Sequence, residues 1–153
     1  MKRLLSIAVL LTLLITLLPT NTYAATNSNA EASIIYLDDG SYITVELTWE
    51  NTRATGTRTG SKTYVYKNSN GEEQWRAVLR GTFTYTGTTV ACTAASCDVT
   101  ITNTNWYIVS KSATKSGNAA VGELTMGRKF LGITVEKVPV SMRITCDANG
   151  NLS

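Results

Sequence analysis

The sequence predicts an all-β fold: an antiparallel β-sandwich of immunoglobulin-like general architecture, with a small β-barrel as the alternative. Three observations carry that expectation. Apolar and polar residues alternate with period two along several segments. Those segments are rich in Thr, Val, Tyr and Ile, which suit a pleated, half-buried surface. Beyond residue 24 no stretch shows an apolar period of 3.6 residues. Roughly seven to nine strands are expected.

The N-terminus departs from this pattern. Lys2 and Arg3 precede an uncharged run, residues 4–18, interrupted only by Ser6, Thr12 and Thr16. Pro19 ends the run, and Thr22-Tyr23-Ala24 supplies the small-x-small exit that a signal peptidase reads. The run is shorter than the about 20 apolar residues of a membrane span. The expected organisation is a signal-peptide helix over 1–24, cleaved after Ala24, a flexible lead-in over 25–33, and one β domain over 34–153. No cysteine follows the apolar run to take a lipid, and the tail 147–153 has neither a hydrophobic stretch nor a wall-sorting pattern. A secreted, extracellular location is the expectation.

Along the β domain, Asp38-Asp39-Gly40 signals a turn. Ile43, Val45, Leu47 and Trp49 then alternate with Tyr42, Thr44, Glu46 and Thr48, as in a strand with one wet face. Residues 51–62 lack any period and read as an exposed loop. The clearest hairpin follows. If Asn70-Gly71 centres its turn, Tyr66 lies opposite Trp75 and Tyr64 opposite Ala77. Trp75, Ala77, Leu79, Gly81, Phe83 and Tyr85 then share one face. A second hairpin is expected to turn at Thr93-Ala94-Ala95-Ser96, and 112–118 reads as a loop. The last segments are 123–126, 130–137, and a face of Val138, Val140, Met142, Ile144 and Cys146.

Charge and composition exclude several functions. Of 14 basic and 11 acidic residues, the signal removes Lys2 and Arg3, leaving 12 against 11 and a net charge of +1. Without a basic cluster there is no footprint for phosphate backbones or anionic lipid, so neither nucleic acid nor, after signal cleavage, a membrane is an expected partner. The chain contains no histidine. That removes Ser-His-Asp hydrolysis, Cys-His nucleophiles and the usual zinc sites, and no cofactor or metal is expected.

The remaining motifs have plain readings. Residues 56–63 have the wrong spacing for a phosphate loop. Asp147-Ala148-Asn149-Gly150 places its glycine too early for a calcium loop. The pairs Asp38/Asp39 and Glu72/Glu73 sit beside glycines, as solvated turn charges do, whereas glycosidase chemistry needs carboxylates facing across a cleft. Thr82-x-Thr84-x-Thr86 and Thr100-x-Thr102-x-Thr104 lack the repeat of an ice-binding face. Tyr64, Tyr66 and Trp75 share parity with Leu79 and Phe83 and read as core. Trp106-Tyr107 is the candidate ligand contact, because strand neighbours face opposite ways. Cys92, Cys97 and Cys146 all fall on apolar parity. A Cys92–Cys146 disulfide is the leading pairing, a Cys92–Cys97 staple the alternative, and three buried thiols the third reading.

The stretch Arg80-Gly81-Thr82-Phe83-Thr84-Tyr85, then Asn105-Trp106-Tyr107 and the closing Cys146-Asp147-Ala148-Asn149-Gly150-Asn151-Leu152-Ser153 resembles uncharacterised small secreted proteins of Gram-positive anaerobic bacteria. The resemblance spans about the second half of the chain and implies bacterial secretion without an activity. The expected function is a non-catalytic extracellular interaction or surface-associated module whose partner is a glycan, peptide or protein. The alternatives are a small glycan-active hydrolase working with carboxylates alone, and a secreted inhibitor or toxin-like protein using 51–62 as a projecting loop.

Overall fold

A computed structural model describes residues 28–50 and 56–153 of the chain, so the expected signal segment lies outside the described residues. Eight strands form two antiparallel sheets. The first contains β1 (Ser28–Tyr36), β2 (Tyr42–Glu50), β3 (Thr57–Lys67), β4 (Glu73–Tyr85) and β5 (Val90–Ile101), paired in chain order. The second contains β6 (Trp106–Ser116), β7 (Ala119–Phe130) and β8 (Ile133–Thr145), again in chain order. Each sheet is a meander, and the sheets do not close on each other, which sets aside the barrel and is consistent with a sandwich.

Strand parity builds the core. Trp75, Ala77, Leu79 and Phe83 of β4 are fully buried, as are Met126 of β7 and Ile144 of β8, and one cluster joins both sheets. Each large side chain removed from water in this way contributes about 1.5–3 kcal/mol. The predicted pairings hold: Tyr66 faces Trp75 and Tyr64 faces Ala77. Their rings interlock. Tyr66 stacks on Trp75 at 5.2 Å, and Trp106 of the opposite sheet meets both edge-on at 5.0 and 6.2 Å.

The β3–β4 turn differs from the expected centre. Gly71 alone takes positive φ, at 81°, and its N–H donates to the Asn68 carbonyl, so Ser69 and Asn70 occupy the turn. A bulge between Tyr66 and Lys67 restores the Tyr66–Trp75 register.

Five segments differ from the sequence reading. The expected segment 130–137 is broken by the Leu131-Gly132 turn between β7 and β8, where Phe130 pairs with Ile133. β1 starts at Ser28, inside the stretch read as lead-in, because its small residues pair along β2. The expected loop 51–62 becomes strand from Thr57, where Gly60 lies under the Leu152 side chain; residues 51–55 lie outside the described residues. β6 runs to Ser116 through most of the expected loop 112–118. β5 is one continuous strand, and the turn before it is 86–89 rather than 93–96. A bulge leaves Thr93 unpaired between Cys92 and Ala94. This is why Cys92 and Cys97, five residues apart, both point inward.

Candidate functional site

The two sheets differ in width, and that difference creates the site. The three-stranded sheet packs over β3, β4 and β5, so the inner face of β1 and β2 runs beyond the edge of β8. An apolar groove of about 500 Å³ lies there, between Ile35, Leu37, Ile43 and Tyr64 on one side and Val138, Pro139 and Val140 on the other. Pro139 suits this position, since an edge strand loses no ladder hydrogen bond to it.

Beside the groove, at the end carrying the β1–β2, β3–β4 and β7–β8 turns, is a polar pocket of about 300 Å³. Asp39 and Glu136 border both cavities. The pocket wall also takes Ser41 from the β1–β2 turn, Tyr66 and Gln74 from the β3–β4 hairpin, and Asn103 from the sheet-to-sheet crossover. The polar groups lock one another in place. Asn103 Nδ2 donates to Gln74 Oε1 at 2.7 Å, and Gln74 Nε2 donates to the Glu72 carbonyl at 3.0 Å. Arg128 Nε donates to Glu136 Oε2 at 2.7 Å, while Tyr66 Oη donates to Glu136 Oε1 at 3.3 Å.

Electrostatics define what this pocket can do. The Ser41 hydroxyl and backbone N–H both donate to Asp39 and hold its carboxyl below the usual range. Burial pushes the Tyr66 phenol up, and the Glu136 and Asp39 carboxylates push it the same way, so it stays a donor at neutral pH. Glu136 is committed to its ion pair with Arg128. The carboxylate-only hydrolase required two acids converging on a cleft, and Asp39 and Glu136 do share a wall. Asp39, held ionised by Ser41, is not the protonated acid that glycoside cleavage needs. The pocket presents hydrogen-bond donors and acceptors that are fixed by one another.

Trp106 contributes to the pocket wall and is 4% exposed. Its buried indole N–H has no acceptor among the described residues, and the same holds for Trp75. An unsatisfied buried donor costs roughly 1–3 kcal/mol. The other half of the candidate contact, Tyr107, lies on the opposite face. Its ring covers Gly127 so closely that a Cβ there would sit 2.6 Å from it, and its hydroxyl is 2.6 Å from Thr134 Oγ1. The structure therefore separates the pair: Trp106 borders the pocket and Tyr107 does not.

The three cysteines are free and buried, and burial pushes each thiol up. Cys92 and Cys97 lie on one strand, roughly 16 Å apart at about 3.3 Å per residue, beyond the reach of a disulfide. The hairpin staple is thereby overturned. Cys92 and Cys146 flank the β6–β7 turn together: Cys92 N–H donates to the Gly117 carbonyl and Cys146 N–H to that of Asn118. Among the described residues no group of three or more His, Cys, Asp or Glu is arranged to hold a metal, and no helix is long and apolar enough to cross a membrane. No protein-family model matches the chain, and no curated protein or solved structure matches it significantly.

Proposed function

We propose that this protein is a secreted, non-catalytic interaction module, a sandwich of immunoglobulin-like general architecture that holds an extracellular glycan at its turn-bearing end. The observation that carries the reading is the convergence of Asp39, Ser41, Tyr66, Gln74, Asn103 and Glu136 on one pocket beside an apolar groove. Sugars have hydroxyl edges and apolar faces, and a pocket of fixed donors and acceptors next to an apolar wall meets both. The residues arrive from separate turns already locked by mutual hydrogen bonds, so little ordering cost remains on binding.

The test is saturation-transfer NMR with cell-wall and host oligosaccharides, monitored together with the fluorescence of the Trp75–Trp106 cluster. Binding by the parent, weakened about tenfold or more in Asn103→Ala and Asp39→Asn, supports the reading. Binding that ignores both substitutions removes the pocket from it. Release of shortened sugars would replace it with the hydrolase, for which Asp39 and Glu136 sharing a wall is the favouring observation.

A further inference from the structure

The β7–β8 hairpin ends in a turn unlike the others. Phe130 pairs with Ile133, so the connection is the two residues Leu131 and Gly132, at φ 50° and 81°. Two positive φ values in a two-residue hairpin mark a type I′ turn, whose first position favours Asn, Asp or Gly. Leu131 is the one non-glycine residue at positive φ among the described residues. The other turns carry Asp38-Asp39-Gly40, Asn68-Ser69-Asn70-Gly71, Thr86-Gly87-Thr88-Thr89 and Gly117-Asn118, all polar or small. Here a bulky apolar residue is kept where the backbone disfavours it. Such an outlier points from structure to function.

The apolar character continues around the tip. Leu131 is 87% exposed, Ile133 70%, Phe130 67% and Val135 52%. Val135 is the extra residue of a bulge opposite Arg128 and Lys129. Every residue from 128 to 135 is exposed, so the hairpin stands clear of the sandwich. Lys129 and Lys137 flank it, and the ion pairs among the described residues engage Arg76, Arg80 and Arg128 instead. Lys129 Nζ lies 4.8 Å over the Tyr107 ring at the base of the hairpin.

We propose that this tip inserts into the interfacial layer of a phospholipid bilayer. Shape favours lipid over a protein groove, because the apolar side chains are carried by the apex and both strands of a narrow projecting hairpin. Acyl chains can surround such a wedge on all sides. A two-residue turn also exposes few unpaired backbone groups, which is what an apolar medium demands. Lys129, next to Phe130, and Lys137, further along β8, supply positive charge for anionic headgroups. Asp38 and Asp39 keep the apex of the neighbouring β1–β2 turn polar. The net charge of +1 argues only against attraction of the whole domain to anionic lipid; a local wedge acts by burial.

The chain has two phenylalanines, the buried Phe83 and the exposed Phe130. Full-length protein carrying 4-fluorophenylalanine therefore shows one core and one tip signal by ¹⁹F NMR. It is mixed with vesicles of phosphatidylcholine and about 30% phosphatidylglycerol, with and without a nitroxide on the acyl chain. The expected result is severalfold broadening of Phe130 by the nitroxide, with Phe83 unchanged. In the double variant Leu131→Asn/Ile133→Thr the effect falls about tenfold, while the Phe83 shift in the same spectrum reports an intact fold. A Phe130 signal indifferent to the nitroxide overturns the proposal, even if residues 1–24 carry the chain to the vesicle. Undiminished broadening in the variant overturns it as well. So does a Phe130 shift that tracks protein concentration without lipid, which would assign the tip to a second copy.

Discussion

Leu131 allows backbone strain to be measured almost alone. Its side chain is 87% exposed, so replacing it removes little packing, while its φ of 50° is unfavourable for a residue with a Cβ. The left-handed region costs about 1–2 kcal/mol for an ordinary L-residue. Asn tolerates it through local hydrogen bonding, and Leu131→Asn should recover about 1 kcal/mol. About 120 described residues, at about 2.1 cal/mol/K each, give an unfolding entropy near 0.25 kcal/mol/K. The expected rise in Tm is therefore about 4 °C. Leu131→Ala keeps the Cβ and should leave Tm within about 1 °C. Leu131→Gly relieves the strain but frees the unfolded chain by about 0.4–1 kcal/mol, so its gain should be smaller than that of Asn. Differential scanning calorimetry of the three variants separates these cases. Equal effects of Asn and Ala, or a fall in Tm with Asn, would refute the argument, because the tip would then be held by contacts rather than strained by its backbone.

Two further outcomes follow from the titratable groups and the thiols. Asp39 is held below its ordinary range by Ser41, and Asp147 by the side chain and backbone N–H of Asn151, so each favours the folded state only when ionised. Their contribution is present above the ordinary carboxylate range and is lost as pH falls through the lowered folded values. Urea midpoints between about pH 5 and 2 should flatten in Asp39→Asn and Asp147→Asn relative to the parent, and superimposable acid limbs would contradict this. Oxidation by glutathione disulfide should join Cys92 to Cys146, two thiolates becoming one S–S bond as the glutathione disulfide is reduced. Closing a loop of 146 − 92 = 54 residues stabilises by about 4 kcal/mol. Peptide mass spectrometry that finds Cys97 in the bridge would count against it.

Much of the core was readable because parity is a local signal. Trp75, Leu79 and Phe83, and the face from Val138 to Cys146, are buried where alternation placed them. The misread boundaries have physical causes. Thr93-Ala94-Ala95-Ser96 has turn-like composition but lies mid-strand, its irregularity absorbed by a bulge at Thr93. The turn at Leu131-Gly132 was hidden inside an apolar run, since it lacks the polar residues by which turns are recognised. The segment from Thr57 looks like loop because Arg58, Gly60 and Ser61 break alternation, yet the Leu152 side chain fills the space above Gly60. The pocket was less legible still. Asp39, Gln74, Asn103 and Glu136 lie in four separate segments, and only pairing brings them together. Gln74 left a faint trace, a polar residue beside Trp75 at the start of a core strand.

The departures from a stability-optimised design are unevenly placed. At the end formed by Gly117, Asn118 and the C-terminal turn, groups are matched. Asp147 Oδ1 accepts from the backbone N–H groups of Asn149 and Asn151, Asn118 Nδ2 donates to the Cys146 carbonyl, and Leu152 is buried over Gly60. Arg58 Nε, close enough to Cys146 to act on its thiol, is the exception at this end, a buried group without a partner among the described residues. The opposite end gathers the apolar groove, the orphaned indole N–H groups of Trp75 and Trp106, the left-handed Leu131 and the bare apolar hairpin. The orphaned donors and the left-handed Leu131 each cost free energy. The proposed pocket and the proposed tip share this end of the molecule. A module approaching a surface end-on would use both at once: the tip would touch lipid while the pocket faced glycans beside it. A ligand held at that surface would then meet the pocket at a high effective concentration, and a weak pocket would suffice.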